Sequence, residues 1–171
     1  MKLFSPGFNR KLEVAANLVI VLCGVLLAVR WFRPDLFGRG QEQTTIKLGT
    51  KLDLPGVNWS SHDKTVVLVL KAGCPYCTSS AGFYRNLMRA AANSGKAHVL
   101  AVTPHEPGAA RKYLDSISLP IEDVRRANLG ALNVSGTPTL ILLDRKGVVR
   151  SVWEGKIPAA RESEVLRRIS G

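Results

Sequence analysis

Two cysteines separated by two residues are the feature of this sequence most able to do chemistry. Cys74 and Cys77 enclose Pro75 and Tyr76, directly after the apolar run 66–70. A thiol at the start of a helix faces unpaired N–H groups and the positive end of the helix dipole, which stabilise a thiolate. Two intervening residues let one helical turn bring the second thiol within disulfide distance. The spacing predicts a redox dithiol, with Cys74 as the exposed nucleophile and Cys77 as the more buried resolving thiol.

A strand before this pair and a helix after it are expected to hold it in place. The run 66–70 is apolar and rich in valine, which is typical of a strand covered on both faces. Gly73 lies in the break that follows, and Pro75 suits the first position of a helix. Apolar residues then recur at helical spacing, at Ala81, Tyr84, Leu87, Met88 and Ala91. The dithiol is therefore predicted on the first turn of a helix.

The remaining pattern alternates strands and helices. Strands are predicted over 97–102, 120–124, 139–143 and 148–153, and helices over 106–116, 125–132 and 159–169. A short hairpin is expected within 46–59, and the turn 144–147 makes the last two strands antiparallel. This order predicts an α/β domain with a mixed central sheet and helices on both of its faces.

An uncharged segment, 14–29, precedes this domain. With its flanks it predicts a short cytoplasmic tail at 1–11, a transmembrane anchor at 12–32 and a linker at 33–45, ahead of a catalytic domain at 46–171. Cys23 is expected to be a small apolar residue facing lipid. A cleaved signal peptide is the alternative, but 28–30 lacks the small residues that cleavage needs, and the suitable residues at 38–40 lie far downstream.

Charge bears on location and partners. Three Lys or Arg residues lie on each side of the apolar segment, so they nearly cancel as an orientation signal. A short tail is easily kept in the cytosol, which predicts a single-pass protein of a bacterial inner membrane whose catalytic domain faces the periplasm. The net charge of +11 comes from scattered basic doublets without interleaved aromatic residues. That pattern argues against nucleic-acid binding and fits an anionic membrane surface.

The order of motifs resembles the thioredoxin superfamily. The motif 73–77 (GCPYC) lies between a strand and a helix, and 134–139 (VSGTPT) follows about sixty residues later. Gly-Thr-Pro-Thr ahead of an apolar strand and Asp-x-x-Gly resembles the membrane-anchored TlpA-like and redoxin branch in particular, over about 46–169. The resemblance implies a thioredoxin-like fold and thiol–disulfide oxidoreductase activity.

The same resemblance implies further site residues and partners. The family's cis-proline falls on Pro138, opposite the dithiol, where it would hold the Thr137 backbone for pairing with a substrate segment. Tyr76 is expected to contact substrate, whereas Gly73, Pro75 and Gly136 have structural roles beside the site. Substrates would be disulfides of extracytoplasmic proteins, and a membrane-embedded thiol reductase would restore the dithiol. A monomer without a cofactor is expected.

The sequence also departs from the family. The strand before the dithiol lacks the buried Asp of thioredoxins, and the acidic residue often found three positions past the second cysteine is replaced by Ser80. A proton acceptor for Cys77 is therefore unassigned; a water, Glu122 or Asp123 are the candidates.

Other uses of a cysteine pair are weighed against redox exchange. Structural zinc needs two more ligands, and His62, His98 and His105 form no pair at ligand spacing, so no metal is expected. His98 is interpreted as a core or edge residue and His105 as a surface loop residue. A peroxiredoxin-like thiol peroxidase would need a Thr and a Pro that 70–74 lacks. A non-catalytic copper-binding module of the same fold would need a different cysteine spacing and a histidine near Pro138.

Overall fold

The strand that leads to the dithiol is the centre of a five-stranded sheet. In the computed structural model this strand, β1, spans Lys64–Val69, and the sheet has the order β3-β2-β1-β4-β5. The other strands are β2 (Ala97–Thr103), β3 (Val124–Arg126), β4 (Thr139–Asp144) and β5 (Val149–Glu154). β1, β2 and β3 are parallel, whereas β4 pairs antiparallel with both β1 and β5. The predicted mixed sheet is confirmed.

Helices connect and close this sheet. They are α2 (Pro75–Ser79), α3 (Ala81–Ser94), α4 (Pro107–Ser116) and α5 (Ala159–Ser170). The helix predicted after Cys74 is thus two helices, because Ser80 leaves helical geometry at φ −96° and ψ 1°. The helices predicted near 106–116 and 159–169 are confirmed.

The helices lie on one face of the sheet, not on both as predicted. Val66 and Leu68 of β1 share a core cluster with buried residues of α3, α4 and α5, including Leu87, Leu114 and Ile169. Two successive right-handed crossovers, from β1 to β2 and from β2 to β3, place their helices on the same face. On the opposite face the core residues outside the sheet come from irregular segments around 46–59 and 127–134.

Two predicted local elements are wrong because long-range pairing replaces them. No hairpin forms in 46–59; this segment instead runs beside the turn before β5, with Lys51 bridged to Val148. The Gly49 N–H donates to the Val149 carbonyl at 2.9 Å. The helix predicted over 125–132 is also absent, since residues 124–126 pair with β2 as strand β3.

A separate helix, α1, spans Pro6–Phe32. The structure describes residues 6–32 and 46–171, and the predicted linker 33–45 lies outside them. The predicted anchor, 12–32, falls within α1. Within these described ranges no helix is both long and apolar enough to cross a membrane, which differs from the expectation of a spanning anchor.

Candidate active site

Cys74 occupies the cap position of α2, as the motif predicts. Its backbone is extended, at φ −85° and ψ 112°, and Pro75 begins the helix. The turn from β1 passes through Gly73, whose φ of +79° is a conformation that a side chain would disfavour. The Cys74 N–H donates to the Lys71 carbonyl at 3.2 Å, which closes this turn. The sulfur of Cys74 accepts a hydrogen bond from the Cys77 N–H at 3.3 Å.

The two cysteines differ in exposure and acidity. Both are free thiols; Cys74 is half-buried, whereas Cys77 is completely buried. Burial raises the pKa of Cys77 to about 11, and the hydrogen bond with Cys74 adds to this effect. Burial also acts to raise the pKa of Cys74, but hydrogen bonds from the side chains of Cys77 and Thr137 and from the Cys77 N–H outweigh it and hold that pKa below the usual value. The electrostatics therefore favour Cys74 as the thiolate.

The loop before β4 faces the dithiol. The Cys74 thiol donates to the Thr137 carbonyl at 3.3 Å. The Thr137–Pro138 peptide bond is cis, which confirms the expectation for Pro138. Gly136 is exposed, and its carbonyl accepts a hydrogen bond from the Thr139 hydroxyl at 2.8 Å. The motif around Pro138 and the cysteine motif thus form one site although Cys74 and Thr137 lie 63 positions apart in the sequence.

Tyr76 lies on the outer side of this site. Its side chain is 63% exposed, and its carbonyl accepts hydrogen bonds from the hydroxyls of Ser79 and Ser80. A contact between Tyr76 and substrate stays a prediction, as do the substrate-binding roles of Thr137 and Pro138.

His105 supports the cysteine turn, which sequence reasoning missed. Its Nε2 accepts a hydrogen bond from the Ala72 N–H at 3.1 Å. The imidazole is half-buried, whereas the sequence had suggested a surface loop residue. The signal that could have indicated this contact is position: His105 follows β2, the strand parallel and adjacent to β1, so the ends of both strands meet at one edge of the sheet.

Neither carboxylate candidate for a proton acceptor is placed to serve Cys77. Asp123 contacts His98 at 3.1 Å and Arg125 at 2.6 Å. Burial acts to raise the pKa of Asp123, but these two partners outweigh it and lower that pKa. The Glu122 side chain is exposed. In the described parts of the chain, no carboxylate makes a hydrogen bond to either thiol of the dithiol.

The histidines have structural partners as well. His98 stacks on His62 with ring centroids 4.6 Å apart while it contacts Asp123. Within residues 6–32 and 46–171, no three His, Cys, Asp or Glu side chains are grouped closely enough to hold a metal ion.

Comparison with known proteins bears on the fold. No protein-family model and no curated protein matches the chain. Among solved structures, a Chlorobium tepidum protein proposed to be the thiol:disulfide interchange protein DsbE is 24% identical with a TM-score of 0.57, over 74% of this chain and 99% of its own. The thioredoxin domain of a thiol-disulfide oxidoreductase from Bacteroides vulgatus is 15% identical with a TM-score of 0.56, over 74% and 98% of the two chains.

A third structure gives the same result. A thiol:disulfide interchange protein of the thioredoxin family from Chlorobium tepidum TLS is 17% identical with a TM-score of 0.53, over 73% of this chain and 98% of its own. The likeness to all three extends over nearly the whole of each known chain, and at these identities it establishes the architecture. The part of the chain that carries Cys74 and Cys77 therefore has the thioredoxin fold.

Proposed function

We propose that the chain is a thiol–disulfide oxidoreductase that uses Cys74 and Cys77 to exchange electrons with disulfides of other proteins. The observation that carries this proposal is the asymmetry of the pair. The Cys74 sulfur is half-exposed, lies at a helix N-terminus and accepts the Cys77 N–H, whereas Cys77 is buried directly behind it. The solved structures of the same fold are named as thiol-disulfide oxidoreductases and interchange proteins, which supports the proposal.

The reaction takes two exchanges. The Cys74 thiolate attacks one sulfur of a substrate disulfide; a mixed disulfide forms and the other substrate sulfur leaves with the bonding electron pair. The Cys77 thiolate then attacks Cys74, and the second substrate sulfur leaves as a thiolate that takes up a proton. The substrate gains two electrons and two protons, and the enzyme is left with the Cys74–Cys77 disulfide. Thr137, whose carbonyl lies 3.3 Å from the Cys74 sulfur, provides the backbone beside which a substrate segment would lie.

The direct test is reduction of insulin disulfides by the purified protein in the presence of dithiothreitol. Cys74→Ser is expected to abolish turnover. Cys77→Ser, reduced and then mixed with insulin after the dithiothreitol has been removed, is expected to trap a mixed disulfide. Cys23→Ser is the matched control, because Cys23 is an exposed residue of α1 and has no part in the exchange. Full turnover by Cys74→Ser would overturn the proposal. Rapid peroxide consumption through a Cys74 sulfenic acid would indicate a peroxidase, and tight Cu(I) binding without exchange would indicate a copper module.

We propose that the physiological direction is reductive and that a membrane-embedded thiol reductase regenerates the dithiol of a monomeric enzyme. The resemblance of the motif 136–139 to TlpA-like proteins, in which the role is usually reductive, supports this direction. Alkylation of the protein in growing cells would separate the two directions, because a reductant should be held mainly as the dithiol and an oxidant mainly as the disulfide. The Cys77→Ala variant would capture proteins whose disulfides Cys74 attacks, because it forms the mixed disulfide and cannot resolve it.

We propose that α1 attaches the domain to the outer side of a bacterial inner membrane. Eight large apolar side chains between Val14 and Leu27 are each at least 52% exposed, and such a surface favours contact with lipid. No helix of the described residues, α1 included, is long and apolar enough to cross a membrane. The test therefore distinguishes an integral helix from one that is bound at the membrane surface. Carbonate extraction would leave an integral helix in the membrane and release a peripheral one. A protease added to intact spheroplasts should degrade a domain that lies outside the cytoplasm.

A further inference from the structure

The hydroxyl of Tyr84 is buried next to the active-site helix without a partner. Tyr84 is 3% exposed, and among the described residues its oxygen is the buried side-chain polar atom for which no hydrogen bond is found. Leaving a buried donor unpaired destabilises a fold, so such a group calls for a physical explanation. The Ser80 hydroxyl is close enough to lower the pKa of Tyr84, but its one proton is donated to the Tyr76 carbonyl at 2.8 Å, and no hydrogen bond between Ser80 and the Tyr84 hydroxyl is formed.

The position of Tyr84 relates it to Cys77. The two residues are seven apart along α2 and α3, which is two helical turns, and both belong to the same buried core cluster. Helical side chains lean toward the N-terminus, so the Tyr84 ring is directed toward the turn at Ser80, which lies between Tyr84 and Cys77 in the chain. The Tyr84 N–H donates to the Ser80 carbonyl at 3.1 Å, which keeps α2 and α3 in helical register across the break.

The raised pKa of the Tyr84 hydroxyl indicates whether it acts as a hydrogen-bond donor or as a base. Burial raises the pKa of Tyr84, and a negative charge on Cys77 raises it further. Tyr84 therefore keeps its proton and acts as a donor, not as a base. The buried Cys77 thiol is a poor acceptor, but its thiolate is a strong one, and that thiolate exists only while the mixed disulfide is being resolved. In the described residues no carboxylate forms a hydrogen bond with the Cys77 sulfur.

We propose that the Tyr84 hydroxyl stabilises the Cys77 thiolate by donating a hydrogen bond to it, directly or through one water, during resolution of the mixed disulfide. In this step Cys77 loses its proton to the departing thiolate, by way of solvent, and its sulfur attacks Cys74. The bond between Cys74 and the substrate breaks, its electron pair leaves with the substrate sulfur, and Tyr84 retains its own proton throughout. The inference rests on the proposed dithiol function and concerns its second step alone.

The test separates the two steps with Ellman's reagent, an aromatic disulfide. The full-length protein and every variant carry Cys23→Ser in this test, because the exposed Cys23 thiol would also react with the reagent. The reduced protein with Cys74, Cys77 and Tyr84 intact is the wild-type reference; it releases one thionitrobenzoate when Cys74 attacks and a second when Cys77 resolves the mixed disulfide. Tyr84→Phe removes only the hydroxyl. It is expected to leave the first release unchanged and to slow the second about tenfold, and the apparent pKa of Cys77 in a Cys74→Ala background should rise. The unfolding midpoint of the reduced variant should be unchanged or higher, since an unpaired group has been removed.

Tyr113→Phe is the matched control. Tyr113 lies on α4, and a negative charge on Cys77 raises the pKa of this tyrosine as well. Its hydroxyl already has a partner in the Thr78 hydroxyl at 3.5 Å, so its loss should change the second release by less than about twofold. A Tyr84→Phe variant that resolves at the wild-type rate overturns the inference. So does an equal slowing of both releases or a fall in stability, since each indicates a packing role. A wild-type protein that releases only one thionitrobenzoate contradicts the proposed function itself, which distinguishes the two failures.

Discussion

The Cys77 amide donates to the Cys74 sulfur at 3.3 Å, while the Cys77 thiol itself is fully buried. One residue therefore provides both a backbone donor that favours the neighbouring thiolate and a thiol that stays protonated. Cys74 is therefore the nucleophile and Cys77 the resolving thiol. The backbone hydrogen bond follows from a helix that begins immediately after Cys74, and the burial of Cys77 follows from its place in the core.

The two thiols should react with iodoacetamide over different pH ranges. The pKa of Cys74 is lowered, so its thiolate forms as pH rises through a value below the ordinary ~8.5 of a free cysteine, and its reactivity levels off there. The pKa of Cys77 is about 11, so Cys77 should stay largely unmodified at neutral pH. Mass spectrometry of the partly alkylated wild-type protein measures both thiols with both hydrogen-bond partners in place. Equal rates for the two thiols at pH 7 would contradict the assignment.

Replacing His105 should weaken the turn that carries Cys74. His105→Leu leaves the Ala72 N–H without its acceptor, and we expect a loss of about 1 kcal/mol in stability together with slower alkylation of Cys74. His105→Gln provides an oxygen near the place of Nε2 and should retain most of both. Urea unfolding and alkylation kinetics provide the measurements. His62→Gln is the control for replacing a histidine, because His62 stacks on His98 and makes no contact with the turn that carries Cys74. Wild-type behaviour of His105→Leu would show that the contact has no effect.

Gly147→Ala should destabilise the domain more than Gly155→Ala. Both glycines have positive φ, at +75° and +76°, so both variants have similar backbone strain. A Cβ at Gly147 would lie within 2.8 Å of the Trp59 ring, whereas a Cβ at Gly155 meets nothing within 4 Å. The difference between the two variants isolates this overlap, which we expect to cost about 1–3 kcal/mol in thermal or urea unfolding. Equal losses would mean that Trp59 moves aside freely.

Asp144 should support the β4–β5 turn at neutral pH and lose this effect in acid. Its carboxylate accepts hydrogen bonds from the N–H groups of Lys146 and Val148 at 2.9 and 3.0 Å and contacts Arg150. Although burial acts to raise the pKa of Asp144, these partners lower it. The stabilisation is therefore fully present above the unfolded value of ~3.9 and disappears as pH falls through the lower folded value. Asp144→Asn should give a flatter stability curve below about pH 4 than the wild type; Asp63→Asn, at an exposed ion pair, is the control.

Local sequence signals predicted the dithiol and the elements on either side of it. The valine-rich run before Cys74, Pro75 at the helix start and the motif around Pro138 each encode their structure within a few residues. Their meeting in space followed only from the family resemblance, since no local signal links Cys74 to Thr137.

Contacts between distant residues could not be predicted in the same way. The contact of His105 with Ala72 joins positions 33 apart, and the strand at 124–126 depends on pairing with β2. The unpaired hydroxyl of Tyr84 could not be predicted for the same reason. Helical spacing indicated that Tyr84 is a core residue, but spacing does not reveal which buried groups lack partners. The placement of α3 and α4 on one face likewise follows from the crossover connections and not from either helix sequence.

Complete burial of Cys77 has a kinetic consequence. Since the dithiol is accessible only at Cys74, the proposed function would require an oxidised client and the protein that regenerates the dithiol to approach the same small area of surface. The two could not be bound at once, so no ternary complex would form and turnover would follow ping-pong kinetics. An abundant client would then compete with the recharging protein, and the flow of electrons would fall when either one is in large excess.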